Sequence, residues 1–230
     1  MEHGTLESCF GETTLPIKDP HRLQLALVET GGDQQFLPWK NGPVPQDLEI
    51  LMKIENRISL VEEILNARKL EMGNDYPGYK NHVYRMIHFC FALYDCKSEE
   101  CEKIIIAGCF HDLGIWPDNT IDYLLPSIAL AKEYLTQNGL DHWFAEIKLM
   151  IDMHHKLTPY RDEHYPLVEV FRKGDLVDFS LGIVKCGLPK SFIKRVKERF
   201  PNAGFHKRLV QLELGWVSKH PSNPLPILKW

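Results

Sequence analysis

The stretch Ile104-Ile105-Ile106-Ala107-Gly108-Cys109-Phe110-His111-Asp112-Leu113-Gly114 constrains this chain most, being an almost wholly apolar run that ends in a histidine and a carboxylate side by side. It is too short to cross a membrane and too long for a surface feature, so it predicts a buried helix. Leaving an unpaired carboxylate at the end of such a helix costs on the order of several kcal/mol, so Asp112 requires a partner. By itself the dipeptide reads equally as a helix end that caps and hydrogen-bonds, and as two ligands delivered to an interior metal ion.

The flanking sequence fixes the element that carries this pair. Ser98 is the expected N-cap, Glu99, Glu100 and Glu102 suit the positive end of the helix dipole, and Gly114 supplies the stop. The predicted helix runs from about 99 to 113, with His111 and Asp112 in its last turn, about 100° apart around the axis. Upstream, Asp47 is expected to cap a long amphipathic helix in which Leu48, Leu51, Ile54, Ile58, Val61, Ile64 and Leu65 recur at three- and four-residue steps, ending before Gly73. Residues 74–78 predict a turn, and a second helix starts near Tyr79 with the stripe Val83, Met86, Ile87, Cys90 and Tyr94. His82 falls at the edge of that stripe and can look inward; His88 points away from it.

Downstream, the loop 115–122 holds Asp118 and Asp122, which read as turn formers or as a base beside the helix end. Residues 127–138 predict a helix closed by Gly139. Asp141 then caps another, in which Trp143, Ile147, Met150, Ile151 and His154 share a face, with His155 at its margin. Such a pair suits either a helix C-terminus or a site. From Pro166 a further helix carries Asp175 and Asp178 on the side of Leu167 and Phe171, and periodicity does not choose between them. A basic amphipathic helix over 190–200, another over 205–218 and a Pro-rich tail complete the chain. No alternating strand pattern persists beyond the Gly- and Pro-bearing arm of residues 1–43. The fold class expected is all-α, a helical bundle with an irregular N-terminal arm (1–43), a helical domain (44–181), and C-terminal helices and tail (182–230) packed on the same domain.

Composition narrows the partners. With 44% hydrophobic residues the chain can bury one sizeable core, and a formal charge of −4 without any Lys/Arg block argues against duplex nucleic acid. Six cysteines without a CxxC pair read as reduced thiols of a cytoplasmic protein. The N-terminus shows neither a basic nor an apolar signal region, and no membrane partner is expected.

A histidine on one helix, His-Asp on the next, a later histidine pair and a late aspartate form the kind of ligand set that bundles build from inward side chains. His82 within Asn81-His82-Val83-Tyr84-Arg85-Met86, His111-Asp112, and Gly174-Asp175 stand in the order and spacing that resembles the HD superfamily of metal-dependent phosphohydrolases, over about 79–180. The resemblance implies an HD-type helical bundle and the metal ligands His82, His111, Asp112 and Asp175. Asp175 is preferred over Asp178 because a small residue precedes it. His154 or His155 corresponds to an additional histidine that some members use for a second metal or for substrate. Two-metal members carry one more histidine before the helix after the His-Asp loop; residues 123–127 have none, so one divalent ion (Mn, Fe, Ni, Co or Zn) is expected. The implied activity is hydrolysis of a nucleotide or other small phosphate ester by activated water. Asp118, Asp122, His154 and His155 are the candidates to orient water or protonate the leaving group, and Lys80, Arg85, Lys156 and Arg161 to meet phosphate charge. The alternatives are an HD-type hydratase or lyase acting on an uncharged small molecule, and a non-catalytic metal-containing ligand-binding domain. The arm and tail are candidates to cover the site or to form a homodimer contact.

Overall fold

The computed structural model describes residues 52–223 and 226–229. Among the described residues the chain is helical: α1 (Ser59–Ala67), α2 (Lys69–Met72), α3 (Tyr76–Leu93), α4 (Ser98–Phe110), α5 (Ile115–Asp118), α6 (Leu124–Gln137), α7 (Phe144–Met153), α8 (Pro166–Phe179), α9 (Lys190–Arg199) and α10 (Phe205–Val217). A single parallel bridge, Lys156 to Lys229, is the only extended pairing among them. The expected all-α class holds. The arm 1–43, together with Asp47, Leu48 and Leu51 of the first predicted helix, lies outside the described residues.

Helix α3 is the axis of the bundle. From Tyr79 to Cys90 nearly every residue is buried, apolar or not, because α8 covers one side, α4 another, and α9 and α10 close the rest. A helix buried all round does not show an amphipathic stripe, which is why the periodicity of this segment misplaces His88. His88 is buried: its Nδ1–H donates to the Tyr84 carbonyl at 2.6 Å, and its Nε2 accepts the Glu55 N–H at 2.8 Å.

That second bond also explains the first misread element. Residues 52–58 are not helical, although Ile54 and Ile58 continue the three- and four-residue spacing into Val61. The Glu55 N–H is taken by His88 and the Ile58 N–H by the Tyr84 hydroxyl at 3.0 Å, so the backbone donors a helix would use are bonded to α3 side chains. Ile54 and Ile58 still pack on the core, from an extended segment. Two boundaries shift as well. The predicted turn at 74–78 is a 3-10 turn over Gly73–Asp75 running straight into α3, with Pro77 in its first turn. Asp141 accepts from the Thr136 hydroxyl at 2.6 Å and opens a 3-10 turn, while α7 itself begins at Phe144.

Two glycines set how close the site-bearing helices come. A Cβ on Gly108 of α4 would stand 2.7 Å from Met86 Cε, and one on Gly174 of α8 would collide with Cys90 Sγ and lie 3.1 Å from the Met86 carbonyl. Both helices therefore meet α3 at its Met86–Cys90 turn, at a separation that a side chain would prevent. His82 is one turn before Met86, His111 three residues after Gly108, and Asp175 follows Gly174. Close packing at Met86 thus brings these three side chains into one interior point.

Candidate metal centre

The four predicted ligands converge. His82 Nε2 lies 3.0 Å from His111 Nε2, 3.6 Å from Asp112 Oδ2 and 3.6 Å from Asp175 Oδ1. His111 Nε2 is 3.3 Å from Asp112 Oδ2 and 3.8 Å from Asp175 Oδ1. Three elements supply them: α3, the turn that ends α4, and α8. All four are buried.

The protons on the rings are fixed by what the far side of each ring touches. His82 Nδ1 sits 2.7 Å from Asp178 Oδ2, His111 Nδ1 2.8 Å from the Gly108 carbonyl, and His154 Nδ1 2.6 Å from the Ile151 carbonyl. Carbonyls and an ionised carboxylate only accept, so each Nδ1 carries the hydrogen and each Nε2 presents a bare lone pair. Two lone pairs, on His82 and His111, therefore face one another at 3.0 Å beside two carboxylate oxygens. Such an arrangement repels itself unless a cation lies among the donors. Asp112 Oδ1 and His154 Nε2 are likewise buried without a hydrogen-bond partner, which in a native interior marks a missing ion or proton. The donor set, imidazole nitrogen and carboxylate oxygen, fits a divalent transition metal.

Asp112 serves two groups. Its Oδ2 faces His82 and His111, while its Oδ1 lies 3.4 Å from His154 Nε2. His82, His111 and Asp112 form one set able to hold an ion, and Asp112, His154 and His155 a second. The expectation of one ion came from the absence of a histidine in 123–127. What stands there is Tyr123, fully buried, with its hydroxyl 2.8 Å from His155 Nε2, and His155 Nδ1 reaches to 3.9 Å from Asp175 Oδ2.

The electrostatics follow from burial against neighbouring charge. Burial alone would raise Asp112, but the imidazoles of His111 and His154 outweigh it and hold the carboxyl well below its ordinary range. For Asp175 burial prevails: although His154 pulls the other way, burial, with Asp112 and Asp178 nearby, pushes it up to about 8. Burial pushes His82 down to about 4, although Asp178 pulls the other way, and it holds His155 well below the usual histidine range. The Tyr123 hydroxyl is raised well above its ordinary value by burial and by Asp112. Without a metal, burial thus keeps His82 and His155 neutral and places a proton on Asp175 near neutral pH.

The other predicted residues divide. His154 and His155 adjoin the centre. Asp122 is exposed in the loop before Tyr123, and Asp118 closes the short α5. Arg85 was a candidate for substrate phosphate, but its guanidinium is fully engaged inside the protein. Nε and Nη2 donate to Asp178 at 2.5 and 2.7 Å, and Nη1 to the Phe200 carbonyl at 2.9 Å. Lys80 is also turned elsewhere, its Nζ 2.6 Å from Glu62 Oε2. Lys156 follows the histidine pair and bridges to Lys229, and Arg161 is exposed in the loop before α8. Sequence reasoning missed the part played by Asp178. Held well below the usual carboxylate range because its bonds to His82 and Arg85 outweigh burial, it orients His82 from behind. The signal was the three-residue spacing that puts both aspartates on one side of α8. Phe205 of α10, stacked on the His82 ring at 4.3 Å between centroids, was equally unforeseen.

No family model, no curated protein and no solved structure matches the chain.

Proposed function

We propose that the chain is a metal-dependent hydrolase of the HD type, acting on a nucleotide or another small phosphate ester. The observation that carries this reading is the pair of proton-free Nε2 atoms of His82 and His111, 3.0 Å apart beside Asp112 and Asp175. His82, His111, Asp112 and Asp175 would hold the ion, which supplies Lewis acidity to polarise a phosphoryl oxygen and acidify water. The chain's own residues do the rest. Asp178 and the Gly108 carbonyl keep the His82 and His111 rings aimed inward. The hydrogen bond between the Tyr123 hydroxyl and His155 Nε2 keeps a transferable proton beside Asp175, available to a departing alkoxide. The buried setting strengthens each of these interactions relative to water.

One observation favours a second reading. Lys80 and Arg85 are paired with Glu62 and Asp178, so neither presents a free cation to a phosphate. An uncharged small substrate, as in an HD-type hydratase or lyase, needs no such cation. The test is to load the protein with metal and assay it against nucleotides, simple phosphate monoesters and small nitriles, with His111→Ala as background. Phosphate release that disappears in His111→Ala is the expected result. A fully loaded protein inert to every ester would overturn the phosphohydrolase reading, and turnover of a nitrile would establish the second one.

A further inference from the structure

Between α8 and α9 the chain makes a short loop that is apolar and turned to solvent. Phe179, Leu181, Ile183 and Val184 are 48, 49, 82 and 41% exposed, four large apolar side chains within six residues. Of the other exposed large apolar side chains among the described residues, Leu70, Leu125 and Leu157 stand singly, which is ordinary for a protein surface, and Val210, Leu214 and Val217 form a stripe on α10. This loop is held open by its own bonds. The Leu181 and Gly182 N–H groups donate back to the Asp178 and Val177 carbonyls at 2.9 and 2.8 Å, the Val184 N–H bonds Ser180 Oγ at 3.0 Å, and Lys197 Nζ anchors the Leu181 carbonyl at 2.7 Å. The apolar side chains therefore cannot fold back without breaking that set.

Charge surrounds this tip on one side only. Residues 180–199 hold six basic residues against the single acid Glu198, in a chain whose formal net charge is −4; Lys190, Lys194 and Lys197 line the groove beside the tip, while Arg195 and Arg199 bond Met52 and Asn56 on the other side of α9. Helix α9 buries Phe192, Ile193 and Val196 in the core and so turns its lysines outward. Leu181, Gly182 and Ile193 meet Lys190, Lys194 and Lys197 across an open groove that Glu198 also lines. The Lys194–Glu198 pair is 3.7 Å apart with both side chains well exposed, so it neutralises little of the field.

We infer that this face docks on an anionic lipid surface, with the 179–184 loop entering the headgroup boundary and the α9 lysines meeting lipid phosphates. Aliphatic side chains ringed by lysines fit that boundary, where apolar burial and attraction to anionic headgroups add. A nucleic acid would exploit the lysines, but the tip residues Leu181, Ile183 and Val184 offer no ring on which a base could stack, and Phe179, the one aromatic of the patch, packs edge-to-face against His155. No helix among the described residues is long and apolar enough to cross a membrane, so the attachment is peripheral, to a partner that the linear sequence argues against. Phe179 lies against the His155 ring at 5.6 Å between centroids, so docking would bring the candidate metal centre close to the lipid surface. Nothing in the docking itself requires a metal there.

The experiment is co-sedimentation of the full chain with vesicles of phosphatidylcholine alone and of phosphatidylcholine mixed with phosphatidylglycerol, at low and high salt. Binding about tenfold or more stronger to the mixed vesicles, weakened by salt, is expected. Ile183→Asp should abolish it, and Lys190→Glu and Lys194→Glu should each weaken it about fivefold or more. These side chains are exposed, so all three variants should keep the wild-type circular dichroism and melting temperature. Absence of binding to the mixed vesicles would overturn the assignment. So would binding that Ile183→Asp leaves intact. Capture by an acidic polypeptide, with vesicles ignored, would replace the lipid by a protein partner.

Discussion

Helix α3 buries two histidines, His82 and His88, and they teach opposite lessons. His88 has both ring nitrogens satisfied, Nδ1 by the Tyr84 carbonyl and Nε2 by the Glu55 amide, and it fastens an extended segment to the bundle. His82 has only its outer nitrogen satisfied, by Asp178, and its Nε2 faces a second lone pair on His111. Burial is the same in both. What separates a structural histidine from a ligand is therefore the account of the second nitrogen. Asp178 and Arg85 mark the border between the two regions: a carboxylate and a guanidinium that complete one another and leave the His82 ring pointing inward.

The contrast can be broken from the satisfied side first. Arg85→Ala leaves Asp178 as an uncompensated buried charge and should destabilise the protein by about 3–5 kcal/mol, measured by urea denaturation. A loss below about 1 kcal/mol would mean that the pair is not the scaffold described. His88→Ala strands the Glu55 amide and should cost about 1–3 kcal/mol while leaving metal content unchanged.

A subtler effect lies in the pH dependence of the metal-free protein. Asp175, raised to about 8 from an ordinary 3.8, contributes stability at low pH that is lost as pH climbs to about 8. His82, lowered to about 4 from 6.5, contributes stability above 6.5 that is lost as pH falls to about 4. His88, His155 and His206, each lowered first of all by burial, act in the same sense as His82. The metal-free melting temperature should thus peak near about pH 6.5 and decline on both sides. Bound metal, which requires Asp175 ionised, should remove the alkaline decline. A metal-free profile that keeps rising from pH 6.5 to 8 would contradict the assignment of the proton to Asp175.

Much of this was legible in the sequence where local chemistry and tertiary structure agree. The apolar run into His111–Asp112, the Gly139 stop and the Pro166 start each reported on their own element, and α4, α6 and α8 fall within a few residues of expectation. The convergence of His82, His111, Asp112 and Asp175 followed from combining those elements with a resemblance. What the sequence could not carry was partner choice. The spacing of Ile54 and Ile58 suits a helix, yet the donors of Glu55 and Ile58 are claimed by residues of α3, dozens of positions away. Arg85 and Lys80 looked like phosphate binders because their carboxylates, Asp178 and Glu62, lie on other helices. The exposed 179–184 loop reads in sequence as ordinary apolar text following α8.

The central claim is that the bare Nε2 of His82 and its neighbours are held for a metal ion, while His88 is not. Elemental analysis of purified wild type, His111→Ala, Asp175→Ala and His88→Ala, each reloaded with the same metal, tests it directly. The account predicts bound metal in wild type and His88→Ala, and its loss in His111→Ala and Asp175→Ala. Equal metal in all four, or none in wild type, would contradict it.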